Sequence, residues 1–215
     1  MSTVRRYLDI MKLAPLLCIA AAASLQAQQI IEFESNRLHF RTMTKSGITV
    51  MFAYLPAHLR EFSILQVSIS NGSPIEWTVK AEDFSYRQQE GGVARAWPAL
   101  AVVNSLLARA GRRDVIKLVT TYEDGVYGNI NMHSTNGYEK RRETALAEGM
   151  SARLKAGAAA SAIALIPTKL KPGESTDGAV FFPHTGKPFG PGTLVVNTGG
   201  ELFEFPTEGE PVTAK

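Results

Sequence analysis

The side chains able to do chemistry are few and widely spaced. Four histidines, His39, His58, His133 and His184, stand far apart, and none has a second histidine at the spacing of a metal-ligand pair. A triad or metal site would have to assemble from distant loops, with His133, His184 and Asp124 the residues to converge. Glu123, Asp124, Asn129 and Asn131 gather around Gly125 and Gly128 and offer the oxygen ligands that a hard cation such as calcium takes. Their spacing does not match an EF-hand loop, so a polar connector is the expectation there. Gly149-Met150-Ser151-Ala152-Arg153 falls short of a nucleophile elbow because Arg153 stands where the second glycine is needed. Gly186-Lys187 falls short of a phosphate loop, with Phe181 in place of the leading glycine and Pro188 in place of the hydroxyl residue. No His-Glu-x-x-His and no Gly-x-Gly-x-x-Gly occurs. The expectation is a chain with no catalytic group, no metal and no cofactor.

Charge is the best-localised signal. The 215 residues carry a formal +3, of which residues 1–27 supply +2 and the remaining chain +1. From Arg87 to Lys155 there are 11 basic residues against seven acidic ones, while residues 28–86 sum to −1 and residues 156–215 to −2. Arg112, Arg113, Lys140, Arg141 and Arg142 are therefore the candidate binding residues, for a protein or an anionic envelope component such as lipid or lipopolysaccharide. Glu139 and Glu143 offer a local neutralisation that would make the same cluster an ordinary solvated helix face. Nucleic acid is not expected, because no aromatic residues interleave with the basic pairs.

Arg5, Arg6 and Lys12 precede an apolar run, Leu13 to Leu25, that is too short to span a bilayer. Residues 1–27 thus read as an export signal cleaved after Ser24 or Ala27, leaving no transmembrane helix and a periplasmic, cell-surface or secreted protein. Cys18, the one cysteine, falls inside the run without the small preceding residue of a lipidation site. The exported chain then has neither a disulfide nor a thiol nucleophile.

The elements that would position these groups are mainly β. Leu38–Met43 alternates, Lys45-Ser46-Gly47 turns, and Ile48–Leu55 is long and apolar, predicting a hairpin. Phe62–Ser70 places Leu65, Val67 and Ile69 on one face and Gln66, Ser68 and Ser70 on a solvent face. Asn71-Gly72-Ser73-Pro74 turns, Ile75, Trp77 and Val79 point to one side, and residues 82–86 leave the sheet. Pro98 opens a helix with Leu100, Val103, Leu107 and Ala110 at helical spacing, closed by Gly111. A short amphipathic piece is expected over 114–121, and a long helix over 138–166 that Gly149 and Gly157 weaken. The Ala/Gly-rich stretch 156–166 suits close packing against the first helix or the sheet. Gly178–Pro183, Leu194–Val196 and Leu202–Phe205 read as strands, the last two joined at Asn197-Thr198-Gly199-Gly200, with a polar tail from Thr207.

Two of these segments carry a resemblance. Val67–Ile75 with Asp83-Phe84, and Leu170-Lys171-Pro172-Gly173-Glu174 followed by Gly178-Ala179-Val180-Phe181-Phe182, resemble bacterial extracytoplasmic immunoglobulin-like domains of uncharacterised function. The resemblance covers residues 60–86 and 168–205 and implies a two-sheet fold without implying an activity. The chain departs from it in lacking a cysteine pair and in carrying the helical block; Trp77 would be the buried core tryptophan. The expected fold is an immunoglobulin-like β-sandwich with an α-helical insertion between strands. Its parts would be a signal (1–27), first sandwich part (28–86), insertion (87–166), second sandwich part (167–206) and tail (207–215). The expected function is a non-enzymatic binding or envelope-associated module working through the basic insertion. The alternatives are a hydrolase-like enzyme built from loop residues and a membrane-apposed scaffold.

Overall fold

Short two-residue turns dictate the first half of the chain. In the computed structural model, which describes residues 29–55, 61–109, 122, 152–184 and 189–209, β1 (Ile31–Ser35), β2 (Leu38–Lys45), β3 (Ile48–Tyr54) and β4 (Phe62–Asn71) follow one another as antiparallel neighbours. Asn36 and Arg37 (φ 50° and 62°) and Ser46 and Gly47 (φ 49° and 80°) form the two tight turns. Positive φ at both turn positions gives the mirror-image turn whose twist matches that of the flanking strands. β9 (Ser175–Pro183) completes this sheet beside β4, so its order is β1-β2-β3-β4-β9.

A second antiparallel sheet has the order β11-β10-β6-β7, made of β6 (Phe84–Gln88), β7 (Val93–Arg95), β10 (Gly192–Thr198) and β11 (Glu201–Thr207). Residues 84–86, expected to leave the sheet, instead begin β6. β5 (Trp77–Val79) pairs with β8 (Thr168–Leu170) as a separate two-stranded piece. The protein is mainly β, with antiparallel sheets and no closed barrel.

One apolar layer joins the two large sheets. Leu65, Val67 and Ile69 of β4 and Val180 and Phe182 of β9 bury their side chains with Phe84 and Tyr86 of β6, Leu194 and Val196 of β10, and Phe203 and Phe205 of β11. Phe52 meets the Phe205 ring edge-on at 5.1 Å. At the seam beside this layer, Lys45 and Arg41 of β2 donate to Leu202 O and Pro206 O on the outer side of β11.

The opposite face of the five-stranded sheet is covered by helices. α1 (Ala99–Arg109) and α2 (Ala152–Ile163) stand between β7 and β8 in the chain. Val102, Leu106, Ala159, Ala160 and Ile163 pack with Phe40, Phe62, Ile64 and Phe181 in a second core. Packing of the Ala-rich stretch on the first helix and the sheet is therefore what occurs. Gly157 has a physical reason: a Cβ there would lie 2.6 Å from Leu107 Cγ, so glycine lets α1 and α2 approach. Both ends of the block are fastened to β9, by Trp97 N donating to Phe181 O at 2.8 Å and Leu165 N donating to Ala179 O at 2.8 Å.

The helical layer explains three departures from expectation. Gln66, placed on a solvent face, is only 3% exposed because that face lies under the helices. The α1 face that turns inward is Val102 and Leu106, while Leu100 is 71% exposed. Helix ends at Ile163, and Ala164 and Leu165 turn extended to pair with β9. Ile75, expected inward with Val79, is exposed as part of the turn after Asn71, and Thr207, assigned to the tail, is the buried last residue of β11. No described helix is long and apolar enough to cross a membrane.

Candidate functional site

The motif residues of the first half meet in a turn cluster. Asn71, fully buried, donates from Nδ2 to Ile75 O (2.8 Å) and Leu170 O (3.1 Å), and its Oδ1 accepts from Ser73 N (3.0 Å) and Ser73 Oγ (2.6 Å). Its backbone N–H donates to Glu174 O, and its carbonyl accepts from Gly173 N. Asn71-Gly72-Ser73 and Leu170–Glu174 are thus one knot tying β4 to the β8–β9 turn. The amide nitrogen and oxygen of the Asn71 side chain and its backbone N–H and C=O are all occupied, as buried polar groups must be. Asp83 does similar work nearby, its Oδ2 accepting from Lys80 N (3.1 Å) and Thr198 Oγ1 (3.2 Å). Burial pushes the Asp83 carboxyl above its ordinary value, against the lowering pull of those two donors. Trp77 is half-buried against the Gly199 turn rather than central in the shared layer.

A polar cleft opens where β2, β6, β10 and β11 converge. Its walls are Arg41, Arg87 to Gln89, Pro191 to Thr193 and Pro206 to Glu208, around a volume of ≈ 490 Å³. Tyr86 stiffens the segment behind it, stacking on Phe189 at 4.3 Å and donating its hydroxyl to Gly190 O at 2.7 Å. Gln89 N donates to Pro191 O at 3.0 Å, fixing the rim. Each guanidinium is held by a carboxylate: Arg41 Nε lies 2.9 Å from Glu32 Oε1, and Arg87 Nη1 lies 3.3 Å from Glu204 Oε1. The Thr207 hydroxyl shares a hydrogen bond with Tyr54. Amides, hydroxyls and paired charges of both signs suit the holding of a polar ligand by hydrogen bonds.

Arg112, Arg113, Lys140, Arg141 and Arg142 all lie outside the described residues, as do His58, His133, Glu123, Asp124, Asn129, Asn131 and Gly186-Lys187. Of the other histidines, His39 is an exposed β2 residue with Nε2 3.4 Å from Glu32 Oε2, and His184 follows β9, its backbone N–H donating to Glu61 O. Among the described residues no three His, Cys, Asp or Glu side chains gather as a metal-ligand set. The cleft residues carry no motif, because they come from the middle of β2 and the ends of three other strands, spread from Arg41 to Glu208. The available hint was Pro191 and Pro206, which mark strand ends or strand edges.

The fold and cleft define a mainly β protein with antiparallel sheets and a polar groove at the sheet ends. No protein-family model matches the chain, and no curated protein is similar to it. Among solved structures it is similar to the yjhA protein from Bacillus subtilis, at 10% identity over 78% of this chain and 77% of that one, with a TM-score of 0.31. A likeness at that level carries no argument about function.

Proposed function

We propose that this chain is a non-enzymatic binding or envelope-associated module: an immunoglobulin-like sandwich, interrupted by a helical insertion, that is exported to the periplasm or cell surface. The observation that carries this reading is where the described polar groups are spent. Asp83 closes the turn at Lys80 and Thr198, and Glu174 closes the turn at Lys171. Glu201 holds Ser46 and Lys45, and Glu32 holds Arg41. What these leave at the cleft is amides, hydroxyls and the lone Glu208 carboxylate, a set that holds a polar ligand by hydrogen bonds.

Two sheets sharing one layer, with the chain crossing from β4 to β6 and back through β9, support the sandwich reading. The basic, short apolar run of residues 1–27 supports export. The test is retention of solubilised envelope components by the immobilised protein, against a Thr193→Trp variant that fills the cleft, with hydrolysis of ester, amide and phosphoester substrates measured in parallel. Retention lost in Thr193→Trp, with no turnover, is expected. Catalytic turnover would overturn the reading.

A further inference from the structure

We infer that the outer edge of β1 is a docking site for an extended partner segment in which apolar and basic side chains alternate. This rests on the binding-module reading. The other sheet edges are either engaged or, in β5, β7 and β8, only three residues long. The outer edge of β9 is taken by Trp97 and Leu165, and the outward carbonyls of β11, Leu202 O and Pro206 O, accept from Lys45 and Arg41. Among the described residues, no backbone group pairs with the outer side of β1.

The two-residue turn at Asn36 and Arg37 sets which groups face outward. Ser35 and Leu38 close the hairpin as a hydrogen-bonded pair, so Phe33 and Ile31 also exchange bonds with β2, and the peptide groups of Glu32 and Glu34 point away. The same counting on β11 makes Leu202 and Pro206 outward-facing, which is where their carbonyls are found. Ile31 is 56% exposed, and Phe33, stacked on Phe40 at 5.4 Å, is 42% exposed. On the opposite face Glu32 is held by Arg41 and His39, whereas Glu34 has no ion pair among the described residues.

An added antiparallel strand would lay one set of side chains beside Ile31 and Phe33 and the other beside Glu32 and Glu34. The first set must be apolar and the second basic. A second copy of this chain is disfavoured by the same charges. Every antiparallel two-fold register centred on Glu32, Phe33 or Glu34 sets glutamate opposite glutamate.

The experiment uses the full chain and a capped peptide of alternating lysine and valine, its glutamate-for-lysine analogue, and a version N-methylated along one edge. Affinity is read by anisotropy, and the site by amide shifts of residues 31–35. The basic peptide is expected to bind and shift these amides, with about tenfold weaker binding for the acidic and N-methylated peptides. Glu34→Pro removes one outward N–H and should weaken binding by about tenfold at an unchanged thermal midpoint. Glu34→Lys should reverse the charge preference, and Phe33→Lys, which leaves the backbone alone, should also weaken binding. Equal binding of basic and acidic peptides, indifference to N-methylation, or shifts elsewhere would overturn the assignment. A dimer of the chain alone that Glu34→Pro abolishes, without peptide binding, would overturn it in favour of self-pairing. Envelope retention that survives Glu34→Pro removes the edge but leaves the binding-module reading standing, while substrate turnover removes that reading itself.

Discussion

Asn71 is the single side chain on which most of the turn architecture depends. Replacing it by alanine leaves Ser73 N–H and the Leu170 carbonyl without their partner in a buried setting, and leaves Ile75 O with the Ser73 hydroxyl alone. Asn71→Ala should cost about 3 kcal/mol, read as a lower urea midpoint at unchanged slope. Two carboxylates give opposite pH responses. Burial raises the folded pKa of Asp83 above its ordinary 3.8, so the folded state binds that proton more tightly than the unfolded chain. Its contribution is fully present at acid pH and is lost as pH rises through the folded value. Glu201 is held below its ordinary 4.5 by the Ser46 hydroxyl and then by Lys45, so its contribution is present above that value and lost on acidification. Asp83→Asn should keep the turn and remove the first dependence. Thermal midpoints of wild type and variant across pH 3 to 7, a window spanning about three units above the ordinary carboxyl value, should diverge upward in favour of the variant. Parallel curves would show that Asp83 is not so placed.

At the scale of elements, the α1–α2 contact is the most exposed to test. Gly157→Ala gains about 1 kcal/mol of helix propensity, yet its methyl group meets Leu107. The variant should be net destabilised, and Leu107→Ala in the same chain should reverse the sign of the Gly157→Ala effect. Urea midpoints of the four chains in this cycle decide it. The elements also show what was legible in the sequence. Turns built on Ser46-Gly47 and Gly199-Gly200 were readable because positive φ demands particular residues, and the Leu65-Val67-Ile69 face was readable from its period of two. The burial of Gln66 was not, because a polar residue on an alternating strand looks the same whether water or a helix layer covers it. β1, β7 and β8 carry no such signal. β7 and β8 are three residues long, and β1 alternates over only four residues, Ile31-Glu32-Phe33-Glu34, the shortest run in which a period of two can be read. The cleft was illegible for a third reason: its residues share no segment.

For the whole molecule, the helices are part of the packing. Replacing residues 97–165 by a short linker uncovers Phe40, Phe62, Ile64 and Phe181 and frees the edge of β9. Such a chain should bind a hydrophobic dye and aggregate, measured by fluorescence and light scattering. The basic candidates Arg112, Arg113, Lys140, Arg141 and Arg142 are therefore better probed by charge reversal than by deletion. If the chain works against an anionic surface, Arg112→Glu with Arg141→Glu should abolish salt-sensitive binding to anionic vesicles.

The pairing of β4 with β9 also sets an order of events. β4 ends at Asn71 and its neighbour begins at Ser175, so the fourth strand of the larger sheet gains its second partner from a segment made long after it. The first four strands can assemble by local turns as they emerge, and both fastening points of the helical block wait for β9. Closure of so distant a pairing is slow compared with hairpin formation. The same late strand that completes the sheet thus supplies both backbone anchors of the helices, Phe181 O and Ala179 O.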